Sequence, residues 1–138
     1  MSEAPLTGGC LCGAVRFEVR APFFDAGYCH CTRCQGRTGT GSSIGGLVDA
    51  RHVALVQGAD AIRTWQPEGG YPKCFCGTCG AHLFSGVPGG NGRCSVRFGA
   101  LDGDPGIAPT YRQWIASAAP WDPIPDDGLT RYPGGRPD

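Results

Sequence analysis

Between Gly13 and Val19 the chain reads Gly-Ala-Val-Arg-Phe-Glu-Val, which sets Val15, Phe17 and Val19 against Arg16 and Glu18. A period of two puts the apolar residues on one side of an extended segment, so this stretch predicts a half-buried strand. Similar short runs predict strands over residues 43–48, 53–57, 61–65, 71–75, 81–85 and 93–99. Turn signals stand between them, among them Gly58-Ala59-Asp60, Pro67-Glu68-Gly69-Gly70 and the glycine-rich stretch from Gly86 to Gly92. A brief helical turn is expected over residues 32–35, but no helical pattern alternates with the strands. Seven short strands of this kind predict an antiparallel all-β domain. From Asp102 onward, Pro105, Pro109, Pro120, Pro123, Pro125, Pro133 and Pro137 interrupt regular structure. Tyr111, Trp114, Ile115 and Trp121 are nevertheless too apolar for a loose tail, so this segment is expected to cover the sheet irregularly.

Composition sharpens that picture. A length of 138 residues without a linker-like stretch suits one domain over residues 1–138. The 41% hydrophobic and 17% charged fractions indicate a folded chain. With 24 Gly and 12 Pro, turns take up much of that chain, and metal crosslinks become a plausible supplement to its core. Twelve basic and twelve acidic residues cancel, and no run of like charge appears. That balance carries no electrostatic footprint for nucleic acid or an anionic membrane. The N-terminal residues lack a basic region followed by an apolar one, and no stretch has the length of a membrane span. A cytoplasmic, soluble protein is expected.

The nine cysteines require their own explanation. An odd count, clustered at Cys10-x-Cys12, Cys29-x-Cys31-x-x-Cys34 and Cys76-x-x-Cys79, is poorly suited to disulfides that staple distant parts of a fold. Converging thiolates suit tetrahedral zinc. Residues i and i+2 of an extended segment point the same way, so Cys10 and Cys12 present their sulfurs together. Cys76-Gly77-Thr78-Cys79-Gly80 has the form of a zinc knuckle, with glycines for the tight turn. In the middle cluster Cys31 belongs to both spacings. Three thiolates from one short segment can hold one face of a zinc ion and leave a position for water or substrate. A fourth ligand from His30, Asp25, His82 or Cys94 would close the site instead, although His30 should point away from its Cys neighbours. Spacing alone leaves open which cluster meets Cys76 and Cys79. Cys74 and Cys94 read as small buried hydrophobes whose thiols could meet if their strands are neighbours. Arg33 and Arg37 flank the middle cluster, where they could lower thiolate pKa values or hold a substrate carboxylate.

Taken together, these residues resemble the glutathione-dependent formaldehyde-activating enzyme family, which includes centromere protein V-like domains. The resemblance rests on Gly8-Gly9-Cys10-Leu11-Cys12-Gly13-Ala14-Val15-Arg16-Phe17 and Cys29-His30-Cys31-Thr32-Arg33-Cys34. It continues through Lys73-x-Phe75-Cys76-x-x-Cys79-Gly80, His82-Leu83-Phe84 and Gly99-x-Leu101-Asp102. Its last matches are Pro120-Trp121, Asp126-Asp127-Gly128-Leu129 and Tyr132-Pro133. It implies a β-tent fold built around zinc, with Cys10, Cys12, Cys76 and Cys79 as the structural site. Cys29, Cys31 and Cys34 would then be the looser, functional site. It also implies addition of a glutathione thiol to formaldehyde, giving S-hydroxymethylglutathione, an activity classed from the reverse direction as a carbon–sulfur lyase. Cys31 is the expected catalytic residue, exchanging with substrate sulfur.

The chain departs from the family where basic residues are common. It has Arg112, Ala116 and Ala118 before the Pro-Trp, and Gln35-Gly36-Arg37 after the middle cluster. If such groups hold a glutathione carboxylate, this protein prefers another small thiol. Two alternatives to an enzyme remain. One is a non-catalytic, zinc-stabilised binding module using an apolar surface around Tyr111, Trp114 and Trp121. The other is a zinc or redox buffer that exploits the looser cluster.

Overall fold

The computed structural model describes residues 4–137. The N-terminal segment read above for a leader therefore lies partly outside the described residues. Eleven strands, one short α-helix and four single-turn 3-10 helices are found among those described. In chain order they are β1 (Leu6–Gly9), β2 (Arg16–Val19), β3 (Asp25–Cys29), α1 (Thr32–Thr38) and β4 (Ser43–Asp49). Next come β5 (Val53–Gln57), β6 (Ile62–Trp65), β7 (Lys73–Cys76) and β8 (His82–Ser85). The chain ends with β9 (Arg93–Arg97), β10 (Tyr111–Gln113) and β11 (Thr130–Arg131). Among the described residues no helix is long and apolar enough to cross a membrane.

The strands form two sheets. One is three-stranded, in the order β1-β2-β5, and the other eight-stranded, in the order β11-β10-β3-β4-β9-β8-β7-β6. The core lies between them. Phe17 and Val19 of β2 and Val53 of β5 bury themselves against Val48, Leu83, Phe84, Cys94 and Val96 of the large sheet. Phe17 meets Phe84 edge to face at 4.8 Å, which ties the two layers together. Burial of a side chain such as Phe17 contributes about 2–3 kcal/mol.

Alternation also decides what the other face of the large sheet presents. The even-numbered Val48, Cys94, Val96 and Phe84 face the core. The odd-numbered Ser43, Gly45, Leu47, Arg93, Ser95 and Arg97 therefore point the opposite way, as do Lys73 and Ser85. The register keeps this parity across the sheet, pairing Gly27 with Gly45, Gly45 with Arg97, Ser95 with Ser85 and Ser85 with Lys73.

The all-β class stands, and the predicted strands recur with shifted ends. Four strands had no alternating signal, namely β1, β3, β10 and β11. The C-terminal segment corrects the expectation of a wholly irregular cover. Tyr111–Gln113 joins the large sheet parallel to both β3 and β11, making it mixed rather than purely antiparallel. Only three residues are needed for this insertion, so the surrounding prolines do not prevent it. Thr110 N donates to Ala26 O at 2.8 Å and Tyr132 N to Arg112 O at 2.9 Å, completing the pairing.

Candidate metal centre

The turn after β1 brings Cys10 and Cys12 beside the β7–β8 turn. Cys10 and Cys12 sulfurs lie 3.5 Å apart, and Cys12 and Cys76 sulfurs 3.8 Å apart. Together with Cys79 they form a group whose sulfurs all lie within 4.8 Å of one another. Thiolates around zinc at about 2.3 Å stand about 3.8 Å apart, so this donor set fits a tetrahedral ion. Backbone N–H groups turn toward the sulfurs, with Val15 N 3.2 Å from Cys10 Sγ and Thr78 N 3.4 Å from Cys76 Sγ. Gly13 and Gly80 take positive φ values of 84° and 78°, which the two tight turns require. Gly77 does not; instead a Cβ there would sit 2.8 Å from Arg63 Cγ. The four cysteines join the turn after β1 to β7, next to the edge of the large sheet.

The second cluster lies at the end of β3. Cys29 closes the strand, Cys31 caps α1 and Cys34 stands in its first turn. Cys31 Sγ accepts from Cys34 N at 3.3 Å, and Ser43 Oγ donates to Cys34 Sγ at 3.2 Å. The helix runs to Thr38 and stops at Gly39, whose φ of 71° forms the left-handed cap. The three sulfurs lie within 4.8 Å of one another, and among the described residues no fourth His, Cys, Asp or Glu joins them.

None of the proposed fourth ligands joins the cluster. His30 is buried with Nε2 3.2 Å from Arg112 Nη1, and burial together with that guanidinium holds it below its ordinary pKa. Asp25 accepts from Arg136 Nε at 2.8 Å, and Cys94 lies in the core. His82 faces a different cavity, beside Cys10 and Arg16. Cys74 and Cys94 are both buried, but β8 separates their strands.

The three-cysteine cluster opens onto a cavity of about 700 Å³. Its floor is the odd-numbered face of the large sheet, and Trp114 together with the Gly135–Arg136 tail borders it. Trp114 adopts φ 58° and ψ 37°, a conformation unfavourable for a bulky residue, fixed by its N–H bond to Gly134 O at 2.8 Å. Arg33, Lys73, Arg93, Arg97 and Arg136 line the cavity, and among the described residues no Asp or Glu does. Burial pushes Lys73 and Arg97 below their ordinary pKa values.

Sequence reasoning placed both cysteine clusters and Arg33, which reaches the cavity and donates to Glu68 O. Arg112 does not reach it: the guanidinium stacks 4.0 Å from the Tyr28 ring centroid and pairs with Asp127 at 2.7 Å. Tyr111 is buried over Gly27, which leaves Trp114 and Trp121 as the exposed rings of the apolar surface expected around all three. Arg97, Ser85 and Ser95 were missed, and Lys73 appeared only as a motif residue. The alternation of Arg93, Ser95 and Arg97 with the apolar Cys94 and Val96 is the signal that would have placed them opposite the core.

A family model described as glutathione-dependent formaldehyde-activating enzyme matches residues 5–117, a span containing both clusters. A crystal structure of a Rhodobacter sphaeroides protein, a structural-genomics target, has the same fold. It superposes with a TM-score of 0.60 at 24% identity, covering 91% of this chain and 98% of that one.

Proposed function

The chain belongs to the glutathione-dependent formaldehyde-activating enzyme family, and on that premise we propose a zinc-dependent enzyme of the carbon–sulfur lyase type. Its substrates are thiol–aldehyde adducts of the S-hydroxymethylglutathione kind. In the forward direction a thiol sulfur bonds to the carbonyl carbon of formaldehyde, and the thiol proton ends on the former carbonyl oxygen. The reverse direction breaks the same carbon–sulfur bond. The observation that carries this reading is a set of three converging sulfurs, with no fourth protein donor among the described residues, at the wall of a roomy cavity.

Cys10, Cys12, Cys76 and Cys79 would hold a structural zinc ion, and Cys29, Cys31 and Cys34 a second one. When bound there, zinc supplies Lewis acidity that favours the thiolate over the thiol or polarises a carbonyl. The chain's own residues set the geometry. The register of β3 and β4 places Cys29 against Ser43, whose hydroxyl fixes Cys34. The start of α1 fixes Cys31. Cys31, shared by both spacings, is our choice for the residue that exchanges with substrate sulfur. The cavity walls orient the adduct and limit water around the reacting carbon. Residues 1–138 are taken as one domain of this kind, working in the reducing cytoplasm, where both clusters stay reduced and able to bind metal.

The test is NMR exchange spectroscopy of zinc-loaded protein with formaldehyde and a panel of small thiols, glutathione included. We expect acceleration of adduct exchange with at least one thiol and its loss in Cys31→Ser. No acceleration with any thiol removes the enzymatic reading.

A further inference from the structure

We infer that Lys73 and Arg97, with the hydroxyls of Ser85 and Ser95, form an anion subsite that selects the thiol substrate by a carboxylate. This rests on reading the three-cysteine cavity as a thiol site. The register lays Lys73, Ser85 and Ser95 side by side across β7, β8 and β9, with Arg97 two residues beyond Ser95 on the same face. Lys73 Nζ donates to Ser85 Oγ at 3.2 Å, and Arg97 Nη2 donates to Ser95 Oγ. Each hydroxyl thus accepts from a cation and keeps its own proton for an acceptor in the cavity. Gly45 makes room for this arrangement, because a Cβ there would lie 2.6 Å from Ser95 Oγ and 2.8 Å from Arg97 Nη2.

Charge balance argues that the acceptor is an anion. Arg136 is neutralised by Asp25. Arg33, Lys73 and Arg97 have no carboxylate partner among the described residues, and the cavity lining supplies none. Three thiolates around a divalent zinc ion carry one net negative charge, so three cations beside them leave a surplus of two. Arg97 Nε is also shielded from solvent without a hydrogen-bond partner. Arg33 is exposed and water can serve it, but half-buried cationic donors such as Lys73 and Arg97 are costly unless something completes them. A free inorganic ion would meet the charge but leave the cysteine cluster unused. A carboxylate on the thiol substrate engages both. Arg97 stands two strands from Cys29, roughly 10 Å across the sheet at the usual strand spacing, and Lys73 stands two strands further, with its amine in electrostatic reach of Cys34. Small carboxylated thiols should therefore suffice, without the whole peptide of glutathione.

The discriminating pair is 3-mercaptopropionate and 2-mercaptoethanol, compared as thiol substrates for formaldehyde with the zinc-loaded protein. A parallel measurement uses 3-(methylthio)propionate, which cannot react, as a binding probe in calorimetry. Charge-assisted hydrogen bonds of this type lead us to expect a preference for the charged thiol of about tenfold or more in kcat/KM. Lys73→Met should shrink that ratio toward one and weaken binding of 3-(methylthio)propionate about tenfold, while Lys73→Arg restores most of both. Circular dichroism and zinc content establish that each variant is folded. If Lys73→Met does not fold, Ser85→Ala takes its place, with a smaller loss expected.

Equal use of the two thiols by the wild type overturns the subsite, as does an undiminished ratio in a folded variant. If no thiol is turned over but the unreactive acid binds the wild type and not the variant, the catalytic reading fails and the subsite stands. If there is neither turnover nor binding, the subsite falls too.

Discussion

Two glycines show how single positions shape the cavity. A Cβ on Gly27 would come closer than 3.0 Å to three carbons of the Tyr111 ring. That ring has nowhere to go. It is buried, with the Tyr132 ring centroid 6.1 Å away and the Arg136 guanidinium 5.5 Å from its own centroid. Gly27→Ala is therefore expected to cost about 1–3 kcal/mol, read as a lower urea midpoint at unchanged slope. Gly45 differs because two of its three nearest neighbours are side-chain tips, Ser95 Oγ and Arg97 Nη2. These can shift. Gly45→Ala should leave a folded protein but displace the guanidinium, weakening 3-(methylthio)propionate binding by several-fold relative to wild type. Unchanged binding in that variant would mean the Arg97 position is irrelevant to the ligand. The contrast separates a residue that serves packing from one that serves the pocket, although both are glycines on the same face.

At the scale of elements, the C-terminal strands depend on a few charged ties. Arg136 Nε donates to Asp25 Oδ2 at 2.8 Å, holding the last residues against β3. Against the upward push of partial burial, the hydroxyl of Thr110, the Ala26 N–H and the Arg136 guanidinium hold the Asp25 carboxyl below its ordinary pKa. A carboxyl lowered in the fold adds stability that is complete above its unfolded value, near 4, and is lost as pH falls through the folded value. Acidification below about pH 4 should therefore loosen this tail. In a protein whose only tryptophan is Trp114, the emission should shift over that range. Asp25→Asn should show the loosened signal already at neutral pH. Identical behaviour of the two proteins would exclude this tie. These ties also explain what the sequence hid. β2, β4, β5 and β9 announce themselves by alternation because each has one apolar face. β3 contains Ala26 and Gly27, while β10 and β11 have three and two residues. Their membership comes from register and from long-range ion pairs, which no local pattern encodes. The cysteine clusters were legible because ligand spacing is local. The cationic wall was not, since it assembles from β7, β8 and β9.

Over the whole molecule, metal ions held at the two cysteine clusters would do different mechanical work. Cys10 and Cys12 link β1 to β2 in the small sheet, whereas Cys76 ends β7 and Cys79 precedes β8 in the large one. A metal ion at that site crosslinks the two layers on either side of the core, supplementing the Phe17–Phe84 contact. Cys10 and Cys76 are buried, so stripping the ion would leave thiols crowded inside rather than simply exposed. Cys29, Cys31 and Cys34 all come from one short segment, and an ion there closes only a local loop. Loop closure of that length constrains the unfolded chain far less than a link spanning 64 residues between Cys12 and Cys76. Metal removal should therefore proceed in two stages. Under reducing conditions at neutral pH, a chelator is expected to take about one zinc equivalent first, with little change in near-ultraviolet circular dichroism. The second equivalent should leave only as that signal collapses. Cys31→Ser should abolish the first stage, and Cys76→Ser should abolish the stable fold. Simultaneous loss of both ions with unfolding would show that the three-cysteine site also carries the fold. The division between a crosslink and a working site would then have to be abandoned.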